Sequence, residues 1–287
     1  MLSKQTSVGP VSLTVPNLQK SLEFYESVLG FAVLTVGDGW AKLGTKDGHQ
    51  LLELIEDSSG VAPNRRAPGL FHFAVLFPSR VSLGRSLSHL IEKGWKLSGA
   101  GDHLVSEALY LNDPDGNGIE LYWDRPTETW TFKDGRVVMD TLPVDVDSLI
   151  AAGKIDPSPW TGIPNDTKMG HVHLKVNDVE AAGRFYCDII GFDVMATWEQ
   201  ALFIAVGGYH HHLGLNAWMS LGSPTSPDKA FGLRGFWINL ANSEELEAVI
   251  ARLKTAGFAV DLSQTDPFVR DPSGNGVWLR STQAESL

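Results

Sequence analysis

Cysteine is almost missing from this chain: Cys187 is the only one in 287 residues. An internal disulfide is therefore excluded, and so is a metal cage built of thiolates. Cys187 falls inside the helical pattern AAGRFYCDIIGF, which reads as the place of a structural thiol rather than a nucleophile. Positive charge is also scarce, with 23 Lys and Arg against 34 Asp and Glu and a formal net charge of −11. Nucleic acid and anionic membrane surfaces repel such a protein, which leaves a small molecule as the expected partner. Long apolar runs are absent too. No stretch approaches the roughly 20 residues of a membrane span, and Met1 to Pro10 has no extended hydrophobic segment. The expected location is cytoplasmic.

What the sequence has instead is repetition. VSLTVPNLQKSLEFYESVLGF (11–31) and VHLKVNDVEAAGRFYCDIIGF (172–192) match along their length: an alternating strand, an Asn or Asp turn, an amphipathic helix ending on Phe-Tyr, and a Gly-Phe stop. FHFAVLFPSRVSLGRSLSHLIEKGW (71–95) and GFWINLANSEELEAVIARLKTAGF (235–258) form a second pair, and DPDGNGIELYW (113–123) and DPSGNGVWLRS (271–281) close the units that contain them. Internal repeats of this kind govern the fold assignment. Each unit reads as strand, helix and then several strands, which predicts an α+β fold of four βαβββ modules. A curved sheet of a few strands cannot close a core alone, so the modules must pair. The expected organisation is one two-module domain over 8–126, a linker packed on the surface over 127–168 with a short helix near Asp147–Ala152, and a second domain over 169–283.

Histidine is distributed unevenly. His171 and His173 stand two apart in MGHVHLKV, so on a strand they share one face. In YHHHLGLNAW the same alternation would put His210 and His212 together and His211 opposite. Histidines in such pairs suggest a site.

The four modules, the H-x-x-L-x-V-x-D-V opening from His171 to Val179, the FY-x(4)-GF helix endings and the DPDGNGIELYW strand together resemble the vicinal oxygen chelate superfamily. That superfamily holds glyoxalase I, bleomycin-resistance proteins and type I extradiol dioxygenases. GDHLVSEALYLNDPDGNGIELYWDRP with GGYHHHLGLNAW is most similar to its catechol-2,3-dioxygenase-like members. The resemblance implies metal ligands at the start of a module's first strand and within its last strand. The first-strand positions are Pro10, His72, His171 and Gly235; the last-strand positions are Glu53, Glu120, the neighbourhood of His212 to Gly214, and Trp278. Modules two and three alone retain a ligand set, namely His72, Glu120 and His171, and these converge only if those two modules pair with each other. Consecutive pairing, one with two and three with four, would split the set.

Two imidazoles and one carboxylate are the set that holds non-haem Fe(II) with positions open to substrate and dioxygen. The resemblance thus implies an extradiol ring-cleaving dioxygenase of catechol-like substrates, with Mn, Zn or Ni as alternative metals. His212 is the expected acid-base residue, with His210 its rival, and His173 is expected to line the same cavity. His103 is a further candidate donor, and Trp218, Phe236 and Trp237 are candidate walls for an aromatic ring. Tyr110 and Tyr122 read as core or rim residues, Glu53 as solvated or vestigial, and His49 and His89 as ordinary surface residues. Modules one and four are expected to be structural and could support a homodimer. A glyoxalase-type isomerase is the first alternative, although the histidine-rich segment stands where its second Glu belongs. A metal-free binding protein is the second, although such proteins tend to lose the ligands kept here.

Overall fold

The protein is described from a computed structural model that covers residues 2–282; residue 283, the end of the expected second domain, lies outside the described residues. Module one comprises β1 (Ser7–Val15), α1 (Leu18–Ser27), β2 (Ala32–Gly37), β3 (Trp40–Gly44) and β4 (Gln50–Glu56). Module two comprises β5 (Gly69–Leu76), α2 (Arg80–Glu92), β6 (Leu97–Asp102), β7 (Ser106–Asn112) and β8 (Gly118–Asp124). The linker carries a small hairpin, β9 (Phe132–Lys133) and β10 (Arg136–Val137), and then α3 (Val146–Gly153). Module three contains β11 (Lys168–Lys175), α4 (Val179–Gly183) running on as a π-helical turn through Arg184–Ile190, β12 (Asp193–Trp198), β13 (Ala201–Ala205) and β14 (Leu213–Asn216). Module four contains β15 (Gly232–Leu240), α5 (Ser243–Thr255), β16 (Phe268–Arg270) and β17 (Gly276–Ser281).

The turn between first strand and helix repeats because its polar residue caps the helix. Asn17, Ser79, Asp178 and Asn242 each accept a hydrogen bond from a first-turn backbone N–H, a donor that would otherwise have no partner.

Two mixed sheets result. The eight-stranded sheet has the order β12-β13-β14-β11-β5-β8-β7-β6, and the seven-stranded sheet β16-β17-β15-β1-β4-β3-β2. Module two thus pairs with three, and module one with four, as survival of the ligand set requires. In each sheet the two first strands run antiparallel at the centre, β5 with β11 and β1 with β15. Each first strand also runs parallel to the last strand of its own module. Every sheet therefore draws one module from either side of the linker.

The two sheets share one apolar core. On β11, Val172 and Leu174 point into it with Phe73 and Val75 of β5, while the alternate residues face the concave side of the eight-stranded sheet. The repeated sequence motifs lock the sheets to each other. The Tyr25 hydroxyl, from the helix of module one, donates to Asp113 Oδ2 in module two at 2.9 Å, and Tyr186 of module three donates to Asp271 Oδ2 in module four at 3.1 Å. Each Asp also gathers its own DPxGNG turn through its other oxygen, which accepts two backbone amides.

The linker does more than pass over the surface. Its Trp130 is buried against Val105, Met195 and Ala205, and its backbone pairs with Asp102 through Leu142, so it closes one end of the eight-stranded half-barrel. Hydrophobic burial draws it inward, since an exposed indole would leave a large apolar area in water.

Candidate metal centre

Cross-strand register builds the centre. His171 on β11 lies opposite Ala74 on β5, and Ala74 lies beside Glu120 on β8; two pairs further along, on the same face, His173 faces His72. Ala74 between them carries only a methyl group, so the imidazole and the carboxylate can meet above it. Gly118, at the end of the DPDGNG turn, allows β8 to approach: a Cβ there would sit 2.2 Å from the Phe71 carbonyl oxygen.

His72 Nε2 lies 3.0 Å and His171 Nε2 3.2 Å from the same oxygen, Oε2 of Glu120. The three residues are buried, each offering a ligand atom within 4.8 Å of the others, and they form the one such His/Cys/Asp/Glu group among the described residues. Burial pushes the Glu120 carboxyl up, but the two imidazoles more than reverse this and hold it well below the usual carboxylate range. Burial also brings His171 down to about 4 in spite of Glu120. At neutral pH the centre therefore offers a carboxylate and a neutral His171 nitrogen. His72 Nε2 is buried and makes no well-aligned hydrogen bond. A buried polar atom without a partner is costly, and a cation shared by the three side chains would remove that cost, so these residues fit a bound metal.

His173 occupies the next row outward. Its Nε2 accepts from the Asn216 amide at 3.0 Å, its ring centroid lies 5.0 Å from that of His72, and burial lowers its pKa well below the ordinary value. Phe71, Phe203 and Trp218 surround it at 4.9, 5.6 and 5.8 Å. Gly214 is the condition for this placement, because a Cβ at that position would meet the His173 ring at 2.8 Å.

The three consecutive histidines do not alternate as a strand would. Residues 207–212 form a turn, with Gly207 and Gly208 both at positive φ, and β14 begins only at Leu213. His212 accordingly faces away from the ligand triad: its Nδ1 accepts from the Val206 amide and its ring packs on Tyr209, 4.8 Å between centroids. His211 takes the place near the triad, its ring centroid 4.1 Å from that of His171. A relay fixes it. Asp124 accepts from His210 Nε2 at 2.9 Å, and His210 Nδ1 lies 2.8 Å from His211 Nδ1. Since a carboxylate only accepts, His210 Nε2 carries a proton; in the neutral tautomer this implies, His210 Nδ1 accepts from His211 Nδ1 and His211 Nε2 is left with a lone pair.

Tyr110, expected as a core or rim residue, lies beside the triad. It stands directly across the β7–β8 hairpin from Glu120, with its ring centroid 5.7 Å from that of His72. The register is centred on Asp115, just before the midpoint of the DPDGNG turn, and so pairs 110 with 120. Its hydroxyl lies 2.7 Å from His103 Nε2, and His103 Nδ1 lies 3.0 Å from the Asp140 carbonyl of the linker. The carbonyl must accept, so His103 Nδ1 carries a proton, and the Tyr110 hydroxyl lies between His103 Nε2 and the Glu120 carboxylate.

Two expected ring walls lie elsewhere. Phe236 is a core residue of the seven-stranded sheet, and Trp237 stacks on Trp278 at 4.3 Å on the other face of that sheet. Cation-π contacts flank this stack, Arg280 over Trp237 and Arg234 over Trp278. Trp278 thus fills the position of a ligand, while Glu53 accepts from Ser12 at 2.7 Å and lies 3.5 Å from Arg234.

Paired βαβββ modules with a buried two-histidine, one-carboxylate cluster define the class. The chain belongs to the Glyoxalase/Bleomycin resistance protein/Dioxygenase superfamily, whose family model matches residues 7–121 and 168–279. A catechol-2,3-dioxygenase of Bacillus subtilis (strain 168) is 44% identical over 276 residues, covering 94% of this chain and 95% of the relative. A biphenyl-2,3-diol 1,2-dioxygenase of Rhodococcus globerulus is 30% identical over 128 residues, covering 43% of this chain and 67% of that protein. Glyoxalase I from Zea mays superposes with a TM-score of 0.58 at 16% identity, covering 96% of this chain and 92% of that one, a likeness of fold.

Proposed function

We propose that this protein is an extradiol ring-cleaving dioxygenase acting on catechol-like substrates, with Fe(II) held by His72, Glu120 and His171. The convergence of those three buried side chains on one point carries the reading. The bound metal would supply acidification of the diol and activation of dioxygen. The chain supplies the rest. His211 Nε2 is a lone-pair acceptor beside the triad, suited to take a hydroxyl proton from the substrate and return it later. On the opposite side the Tyr110 hydroxyl, held by His103, can orient a substrate oxygen. His173, kept neutral by burial and fixed by Asn216, lies one row outward between Phe71, Phe203 and Trp218, aromatic side chains against which a flat ring can pack.

The isomerase alternative has less support. In the repeat, the module-three counterpart of Glu120 is Gly214, and the space above it is taken by the His173 ring. A fourth protein ligand is thus missing on the side where an oxygenase needs room.

The test is anaerobic loading with Fe(II), addition of catechol, and measurement of oxygen uptake after admission of oxygen. Near-stoichiometric iron with uptake coupled to a ring-opened product is expected. Glu120→Gln should lower both iron content and uptake by about tenfold or more. Full iron occupancy without uptake on any catechol would refute ring cleavage, and failure to bind iron would refute the ligand assignment.

A further inference from the structure

β11 points three residues in succession along the concave face of its sheet: His171, His173 and Lys175. The first belongs to the ligand triad and the second to an aromatic slot. The third opens onto a cleft of about 1060 Å³ between the two sheets. Phe71 stands between slot and cleft: its ring centroid is 4.9 Å from that of His173, and the residue also lines the cleft.

The charges in that cleft do not balance locally. Arg65, Lys175, Arg234 and Arg270 line it, with Asp113, Asp115 and Asp228. Each carboxylate is already engaged. Asp113 accepts from Tyr25, from Asn117 and from two backbone amides; Asp115 lies 3.8 Å from Lys20; Asp228 lies 3.4 Å from Arg270. Arg234 is taken by Glu53 and Ser12. Neither Arg65 nor Lys175 has an ion pair among the described residues. The Lys175 ammonium, on the strand that carries the site, is partly desolvated, which lowers its pKa, and its one hydrogen bond is to the Arg65 carbonyl at 3.2 Å. Against the repulsion of a net charge of −11, an ammonium without a counter-charge at the end of a line of site residues is a local attractor for anions.

We propose that Lys175 recognises a carboxylate at the end of a side chain on the substrate ring, so that the preferred substrates are catechols bearing a short carboxylate-terminated chain. The assignment rests on the ring-cleavage reading for the ring itself. Four residues of strand separate His171 from Lys175, about 13 Å along the backbone. With a metal–oxygen contact at one end and a carboxylate–ammonium contact at the other, that span suits a ring with a two- or three-carbon substituent. The diol would sit at the triad, the ring among Phe71, Phe203 and Trp218, and the carboxylate at Lys175.

The experiment uses catechols substituted at the 3- or 4-position with propanoate and, as neutral isosteres, the corresponding primary amides. With the Fe(II)-loaded enzyme, kcat/KM is expected to favour the better carboxylate over its amide by about tenfold or more. That ratio should fall to near one in Lys175→Met and recover in part in Lys175→Arg. A second readout needs no metal: calorimetric binding of 3-phenylpropanoate, but not 3-phenylpropanamide, to the metal-free protein, lost in Lys175→Met. Absence of a carboxylate preference, or a preference that survives Lys175→Met, overturns the proposal while leaving ring cleavage intact. Lys175-dependent binding of 3-phenylpropanoate in a protein that cleaves no catechol supports the anion site and defeats the ring-cleavage reading.

Discussion

The Tyr25 hydroxyl is a small target with a large expected effect. Tyr25 is fully buried, its partner Asp113 nearly so, and their 2.9 Å hydrogen bond joins a helix of one sheet's module to a turn of the other's. Tyr25→Phe keeps the ring and its packing on Phe24 and Phe31, and removes one charge-assisted bond. Asp113 retains the Asn117 amide and two backbone N–H donors, so the carboxylate is not stranded. A hydrogen bond to a charged group contributes about 1.5–3 kcal/mol, which places the loss near 2 kcal/mol. Tyr186→Phe removes the matching 3.1 Å bond to Asp271. The two locks share no partner, so the double variant should lose about 4 kcal/mol. Burial raises the Asp271 pKa, so ionisation of Asp271 costs stability as pH rises through its folded value, and the Tyr186 hydroxyl offsets part of that cost. The Tyr186→Phe penalty should therefore be full at pH 7 and shrink toward acid, as Asp271 protonates. Urea unfolding followed by tryptophan fluorescence at pH 7 and at a series of lower pH values measures this. A loss below about 0.5 kcal/mol at pH 7, or a double variant no weaker than either single one, would refute the locking role.

Two further outcomes follow from the geometry. His211→Gln should lower oxygen uptake by about 100-fold with iron content unchanged, whereas His212→Gln, turned toward Val206 and Tyr209, should lower it by less than about fivefold; the reverse order would restore His212 to the site. Cys187, its thiol pushed up to about 11 by burial and by Asp188 and Asp193, stays protonated at pH 8. Alkylation of the folded protein by iodoacetamide at pH 8 should run about 100-fold slower than that of a free thiol and accelerate as pH approaches 11, checked by mass spectrometry.

The modular fold and the pairing of modules two and three were legible because repetition is a property of sequence and ligands survive only in pairs that can meet. His72, Glu120 and His171 could be picked out for the same reason. Position along a strand was less legible. The alternation argument worked for His171 and His173, which lie on β11, and misplaced His211 and His212, because two glycines at positive φ hold that segment in a turn. Tyr110 was hidden because its importance comes from hairpin register, and a register needs the partner strand. For Trp237 and Phe236, ring packing and core packing were equal readings, since apolar character alone does not say which of two sheets a strand joins. The inward pull of Trp130 depended on a cavity end that only tertiary packing creates.

The pairing of modules across the linker also has a consequence for how the chain comes into being. Emerging from a ribosome N-terminus first, β1 has no partner for its central edge until β15 is made, and β5 must wait for β11. The pairings are nested: the inner sheet can close while the chain is still growing, and the outer sheet closes last around it. Until then the nascent protein carries two open strand edges, the kind of surface on which one chain can pair with another. Completion of the inner half-barrel, with the His72, Glu120 and His171 cluster inside it, is the first event that removes one of them.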